Sequence, residues 1–111
     1  MSDAEELLAF QIKAAGLDGF ERQYRYAKPR KLAADFAWPA SRLLVECDGG
    51  IFSRQAHGSI TGILADIDRA NTATLTGWRR LRVTPDMVKS GVALQLIEAA
   101  LTDKRSYDGG I

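Results

Sequence analysis

Asp35, Glu46 and Asp48 are spaced so that two adjacent strands would carry all three carboxylates toward one place. Side chains alternate faces along a strand. Ala33, Asp35 and Ala37 would share one face of the first strand, and Leu44, Glu46 and Asp48 one face of the next. Pro39-Ala40-Ser41 between them reads as a short Pro-initiated turn, which pairs the strands antiparallel and sets Asp35 across from the Leu44 to Glu46 region. Carboxylates within reach of a common cation suit Mg²⁺, with Mn²⁺ able to substitute, because hard divalent ions prefer carboxylate, carbonyl and water oxygens. Leu43, Leu44 and Val45 immediately before Glu46 mark the end of a buried strand. Acids gathered there repel unless a cation or an arginine neutralises them, so removing Asp35 or Glu46 predicts a metal-free stability that holds or rises. A plainer reading fits the same residues, in which Asp35 and Asp48 cap turns and Glu46 pairs with Arg42 or Arg82.

The single histidine, His57, lies in a stretch without periodicity. With an unperturbed pKa of ~6.5 such a group can deprotonate water, protonate a leaving oxygen or donate a hydrogen bond to phosphate, although a lone loop histidine is more often a surface residue. One cysteine, Cys47, and one histidine exclude an internal disulfide and a conventional Cys/His zinc site. Any metal would therefore sit on oxygen. The net charge of +1 hides a segregation: Arg22, Arg25, Lys28, Arg30 and Lys31 occur together with no acid among them, and Arg79, Arg80 and Arg82 form a second cluster. Each is a candidate set of phosphate contacts or a solvated strand edge.

These groups need elements to position them. Ser2 followed three residues later by Glu5 has capping-box spacing, and Leu7, Leu8, Ile12 and Ala15 recur at helical intervals up to Gly16. Gln23-Tyr24-Arg25-Tyr26 alternates as a strand does, and Leu32 to Trp38 and Arg42 to Asp48 form a hairpin that Gly49-Gly50 interrupts. A loop carrying His57 leads to a second helix over Ile60 to Thr76, marked by apolar Ile63, Leu64, Ile67 and Leu75 and stopped by Gly77. Asp66 and Arg69 share one face of it, the spacing of a local ion pair. Trp78 to Val83 reads as a strand, Thr84-Pro85-Asp86 as a helical turn, and Val92 to Leu101 as an amphipathic helix; Trp78, Tyr24 and Tyr26 are expected to be packed. The expectation is one α/β domain over 1–111, a mixed β-sheet in α-β-β-β-α-β-α order with a frayed tail over 103–111.

The chain resembles the PD-(D/E)XK nuclease superfamily, and within it the small endonucleases related to the very-short-patch-repair enzyme. The resemblance runs from Ser2-Asp3-Ala4-Glu5 through Ala34-Asp35-Phe36-Ala37-Trp38 and Leu44-Val45-Glu46-Cys47-Asp48-Gly49-Gly50, past His57 and the Asp66 to Arg69 helix, to Gly77-Trp78-Arg79-Arg80-Leu81-Arg82. It implies a restriction-endonuclease-like core and Mg²⁺-dependent hydrolysis of DNA phosphodiesters. In this pattern Asp35 and Glu46 are metal ligands, the backbone carbonyl of Cys47 completes the site and Glu5 reaches it from the first helix. His57 would act near the scissile phosphate, and Asp66 and Arg69 would steady the edge of the site. One position departs from the pattern. Two residues after Glu46, where many members carry lysine, this chain has Asp48. A second metal, a held water or the orientation of His57 are all roles open to it.

A chain of 111 residues with 46% apolar residues accommodates one core. No apolar run approaches the ~20 residues that span a bilayer, and the acidic start Ser2-Asp3-Ala4-Glu5-Glu6 is unlike a signal peptide, so a cytoplasmic protein with DNA as partner and no membrane is expected. One active site in so small a domain would nick one strand, and breaking both would require a homodimer or a second binding event. The alternative from another class is a non-catalytic DNA-binding module that keeps the nuclease architecture.

Overall fold

The computed structural model describes residues 2–49 and 60–102. His57 and the expected 103–111 tail lie outside the described residues. Helix α1 (Asp3–Ala14) starts behind Ser2, whose hydroxyl accepts the Glu5 N–H at 3.1 Å, with Asp3, Glu5 and Glu6 in the first turn opposing the helix dipole. Strands β1 (Glu21–Arg25), β2 (Ala33–Trp38) and β3 (Leu43–Cys47) follow, with a single 3₁₀ turn, Pro39–Ser41, joining the last two. Helix α2 (Ile60–Leu75) precedes β4 (Arg79–Val83), and helices α3 (Pro85–Ser90) and α4 (Val92–Thr102) follow it.

The sheet runs β1-β2-β3-β4, antiparallel at its first two junctions and parallel between β3 and β4. Its α1 side carries the larger core, in which Leu8, Ala9 and Ile12 of α1, Val88 of α3 and Ala93, Ile97 and Ala100 of α4 pack on Phe36, Trp38, Leu43, Val45 and Val83. The other side carries a smaller core of Tyr26, Ala34, Ala37, Leu44, Ala73 and Trp78. Among the described residues the result is a single α/β domain with a four-stranded mixed sheet and four helices. Both tryptophans are buried in these cores and present no stacking platform to a base. Among the described residues, no helix is long and apolar enough to cross a membrane.

Two expectations are corrected by this architecture. The element order gains a helix, because Thr84 caps α3 through the Met87 N–H and Pro85 occupies its first turn, making residues 85–90 a helix of their own that ends at the left-handed Gly91. The second correction concerns how α2 lies. Periodicity points Ile63, Leu64, Ile67 and Leu75 toward a core, yet they are exposed, and only Ala73 of this helix is buried. The cause is the sheet surface beneath it. Glu46, Arg80 and Arg82 project there and bind Arg69 and Asp66, so the polar side of α2 turns inward.

Candidate active site

Four strand ends meet at one edge of the sheet. The pairings Arg25↔Ala33 and Cys47↔Val83, with the antiparallel β2 and β3, put the C-terminal ends of β1, β3 and β4 beside the N-terminal end of β2. The outer ends of parallel strands are where open α/β sheets build sites. Asp35, Glu46 and Cys47 belong to this edge.

Asp35 sits one position beyond the Phe36↔Val45 pair, and its Oδ2 accepts the Cys47 N–H at 2.8 Å. It therefore touches the peptide that joins Glu46 to Cys47. Its Oδ1 lies 3.4 Å from the Gln23 amide nitrogen, and the same nitrogen stands 3.2 Å from Oε2 of Glu5 on α1. An amide donor thus bridges two carboxylates. Gln23 does so with a left-handed backbone, φ 50°, a conformation that costs a non-glycine residue about 1 kcal/mol. Nothing in the sequence singles out this residue, since left-handed geometry in a strand has no signature unless glycine or asparagine supplies it.

Glu46 faces the other way, toward α2. Arg80 donates to it from Nε at 2.9 Å and from Nη2 at 3.3 Å, and Arg69 from Nη2 at 3.3 Å while also donating to the Ala33 carbonyl at 2.7 Å. Asp66 accepts from Arg80 at 3.3 Å and from Arg82 at 2.9 Å, and Arg82 also pairs with Asp48. Asp66 and Arg69 do not pair with each other. Glu46 is paired with arginine, as in the plainer reading, but with Arg80 and Arg69 in place of Arg42 or Arg82. Arg42 stacks 4.2 Å over the Trp78 ring and donates to the Thr76 and Gly77 carbonyls, closing the end of α2.

Burial opposes ionisation of Glu46, but the hydrogen bonds and charge of Arg80, followed by those of Arg69, outweigh it and hold its pKa below the ordinary value of 4.5. This overturns the expectation that removing Glu46 relieves repulsion, because its charge is already compensated and its loss would strand two arginines. Cys47 is the opposite case. Burial, then the charges of Asp35 and Glu5, push its thiol up to about 12, so the sulfur is neutral at physiological pH and is no nucleophile.

The carboxylates thus fall into two sets, Glu5 and Asp35 bridged by Gln23, and Glu46, Asp66 and Asp48 linked through Arg80 and Arg82. Among the described residues no group of three or more His, Cys, Asp or Glu side chains is gathered around one point. For a hard cation the donor chemistry fits at Glu5 and Asp35, where an amide N–H already takes the place of a positive charge. Glu46 joins them only by leaving its arginines.

The basic stretch divides in the same way. Arg22 pairs with Glu6 at 2.8 Å and lies 5.2 Å over the Phe36 ring, Arg30 pairs with Asp68 and donates to Thr72 at 2.9 Å, and Arg25 donates to the Pro29 and Arg30 carbonyls. Lys28 and Lys31 are exposed and form no ion pair among the described residues. The second cluster is structural. Arg79 donates to the Ala100 and Ser41 carbonyls at 3.0 and 2.9 Å, and Arg80 and Arg82 are held as above.

No family model, curated protein or solved structure matches this chain.

Proposed function

We propose that this chain is a metal-dependent DNA endonuclease that hydrolyses phosphodiester bonds, nicking one strand per active site, in the manner of the PD-(D/E)XK nucleases it resembles. The observation that carries the reading is the hydrogen bond from the Cys47 N–H to Asp35, which ties one acid to the backbone beside Glu46 while Glu5 approaches through Gln23. Asp35 and the Cys47 carbonyl would hold Mg²⁺ or Mn²⁺, joined by Glu46 once it leaves Arg69 and Arg80, and the cation when bound would neutralise developing phosphate charge and lower the pKa of water. The chain's own residues do the rest. Asp35 is kept in place by the β3 backbone and Glu5 by α1. Arg69 and Arg80 keep Glu46 ionised, and Arg82 holds Asp48 at the end of β3. Lys28 and Lys31, in the loop between β1 and β2 at the same edge of the sheet, would meet the DNA backbone.

A second reading has an observation in its favour. Glu46 is fully occupied by two arginines, as it would be in a DNA-binding module that has no use for a cation. The two readings share the lysine track and differ over metal. Lys28→Ala with Lys31→Ala is expected to weaken DNA binding across sequences and to flatten the slope of log affinity against log salt by about 0.9 for each phosphate the protein no longer neutralises. Filter binding over a salt series measures this; an unchanged slope moves the DNA track elsewhere. Measured alongside, affinity without Mg²⁺ but no cleavage with it selects the binding module, whereas cleavage that appears only with the cation selects the nuclease.

A further inference from the structure

Helix α2 carries its apolar residues on the wrong side for a helix that serves only this domain. Ile60, Ile63, Leu64, Ile67 and Leu75 are 74, 50, 60, 50 and 85% exposed. Ile60, Ile63, Leu64 and Ile67 follow at the three- and four-residue spacings of one helix side, and Leu75 lies toward the same side eight residues beyond Ile67, past Asn71 and Thr74, a pattern by which helices pack on other helices. The opposite side is pinned to the sheet by Asp66 and Arg69, and Asp68 is held by Arg30, so the helix cannot roll the stripe inward without breaking these ion pairs.

We propose that this stripe is the contact through which two copies of the chain pair, α2 against α2 about a two-fold axis near Ile67. In the antiparallel arrangement Ile67 meets its counterpart and Ile60 of one copy meets Leu75 of the other, with the helix dipoles in their attractive orientation. The area agrees with such a pairing. The five side chains expose roughly 500 Å², at the upper end of the largest apolar patch on an ordinary monomer. Two stripes together bury about 1,000 Å², the lower bound for a specific interface, which predicts a weak, concentration-dependent dimer. Residues 50–59 contain only Ile51 and Phe52 as large apolar side chains and 103–111 only Tyr107 and Ile111, against five exposed ones on α2. The inference stands on packing and holds whether or not the chain cuts DNA.

Sedimentation velocity of the full chain between about 10 and 500 µM is the test. The mass of the wild type is expected to rise with concentration from 12.2 kDa toward twice that value. Ile63→Glu with Ile67→Glu should weaken association by about 100-fold or more, because like charges would face one another across the seam. The same variant should melt within a few degrees of the wild type, since both positions face outward. A wild type that stays at 12.2 kDa throughout, or a variant that associates as well as the wild type, overturns the proposal. So does a monomeric wild type whose stability collapses in the variant, the result expected if the chain's own remaining residues cover the stripe.

Discussion

Asp35→Asn is expected to lower the rate of DNA cleavage by about 10³-fold or more while leaving the fold and the affinity for DNA within a few-fold of the wild type. The substitution removes a charge and little else. An amide oxygen can still accept the Cys47 N–H, so the end of β3 stays where it is, and the Lys28 and Lys31 track is untouched. What disappears is the negative charge that Asp35 contributes beside Glu5 and the Cys47 N–H. Single-turnover cleavage at saturating DNA separates this effect from binding. A variant that cleaves at the wild-type rate removes Asp35 from the chemistry and the proposed site with it.

Arg80→Ala is expected to cost about 2–4 kcal/mol of folding stability, because it removes one partner of a largely buried ion pair. Arg80 and Glu46 are 12 and 13% exposed at their side chains, so little solvent remains to screen a stranded carboxylate, and Arg69 alone would have to compensate it. Arg82→Ala, whose side chain is 40% exposed and whose partners Asp48 and Asp66 are more open, should cost less than about 1 kcal/mol. The pH dependence follows from the same pair. Folding holds the Glu46 pKa below 4.5, so its ion pairs stabilise the protein above that pH and the contribution is lost as pH falls through the lower, folded value. Urea unfolding at pH 7 should separate the wild type from Arg80→Ala, and the difference should shrink below about pH 4. Equal losses for Arg80→Ala and Arg82→Ala would contradict this account of Glu46.

The parts of the fold with strong periodicity are legible in the sequence. The Ser2 cap and the spacing of Leu8 and Ile12 define α1, and the two apolar-rich strands either side of the Pro39-Ala40-Ser41 turn define the β2-β3 hairpin, because these signals are local. What depends on distant pairing is not. The parallel β4 sets Leu44 beside Arg80 and Glu46 beside Arg82 along the backbone, and from there the Arg80 side chain reaches Glu46 while Arg82 turns to Asp48 and Asp66. Spacing along a chain carries no information about that choice. The inverted α2 escapes a sequence reading for a related reason. Apolar periodicity identifies a helix and its stripe, but which side faces the sheet is decided by three charged residues on β3 and β4. Of the candidate site, residue types point to Asp35 and Glu46, the family resemblance adds Glu5, and neither reaches Gln23, whose place between Glu5 and Asp35 arises from a backbone conformation.

On the proposed function the chain breaks phosphodiester bonds and needs a divalent cation to do so. A time course of supercoiled plasmid with purified protein in EDTA, Mg²⁺ and Mn²⁺, read as the conversion of supercoiled to open-circular DNA, tests it most directly. The expected result is no conversion in EDTA, nicking with either cation, and open circles accumulating well before linear molecules. Plasmid that stays supercoiled with both cations at protein concentrations that bind it fully, with linear, mismatched, branched and single-stranded DNA equally intact, would contradict it.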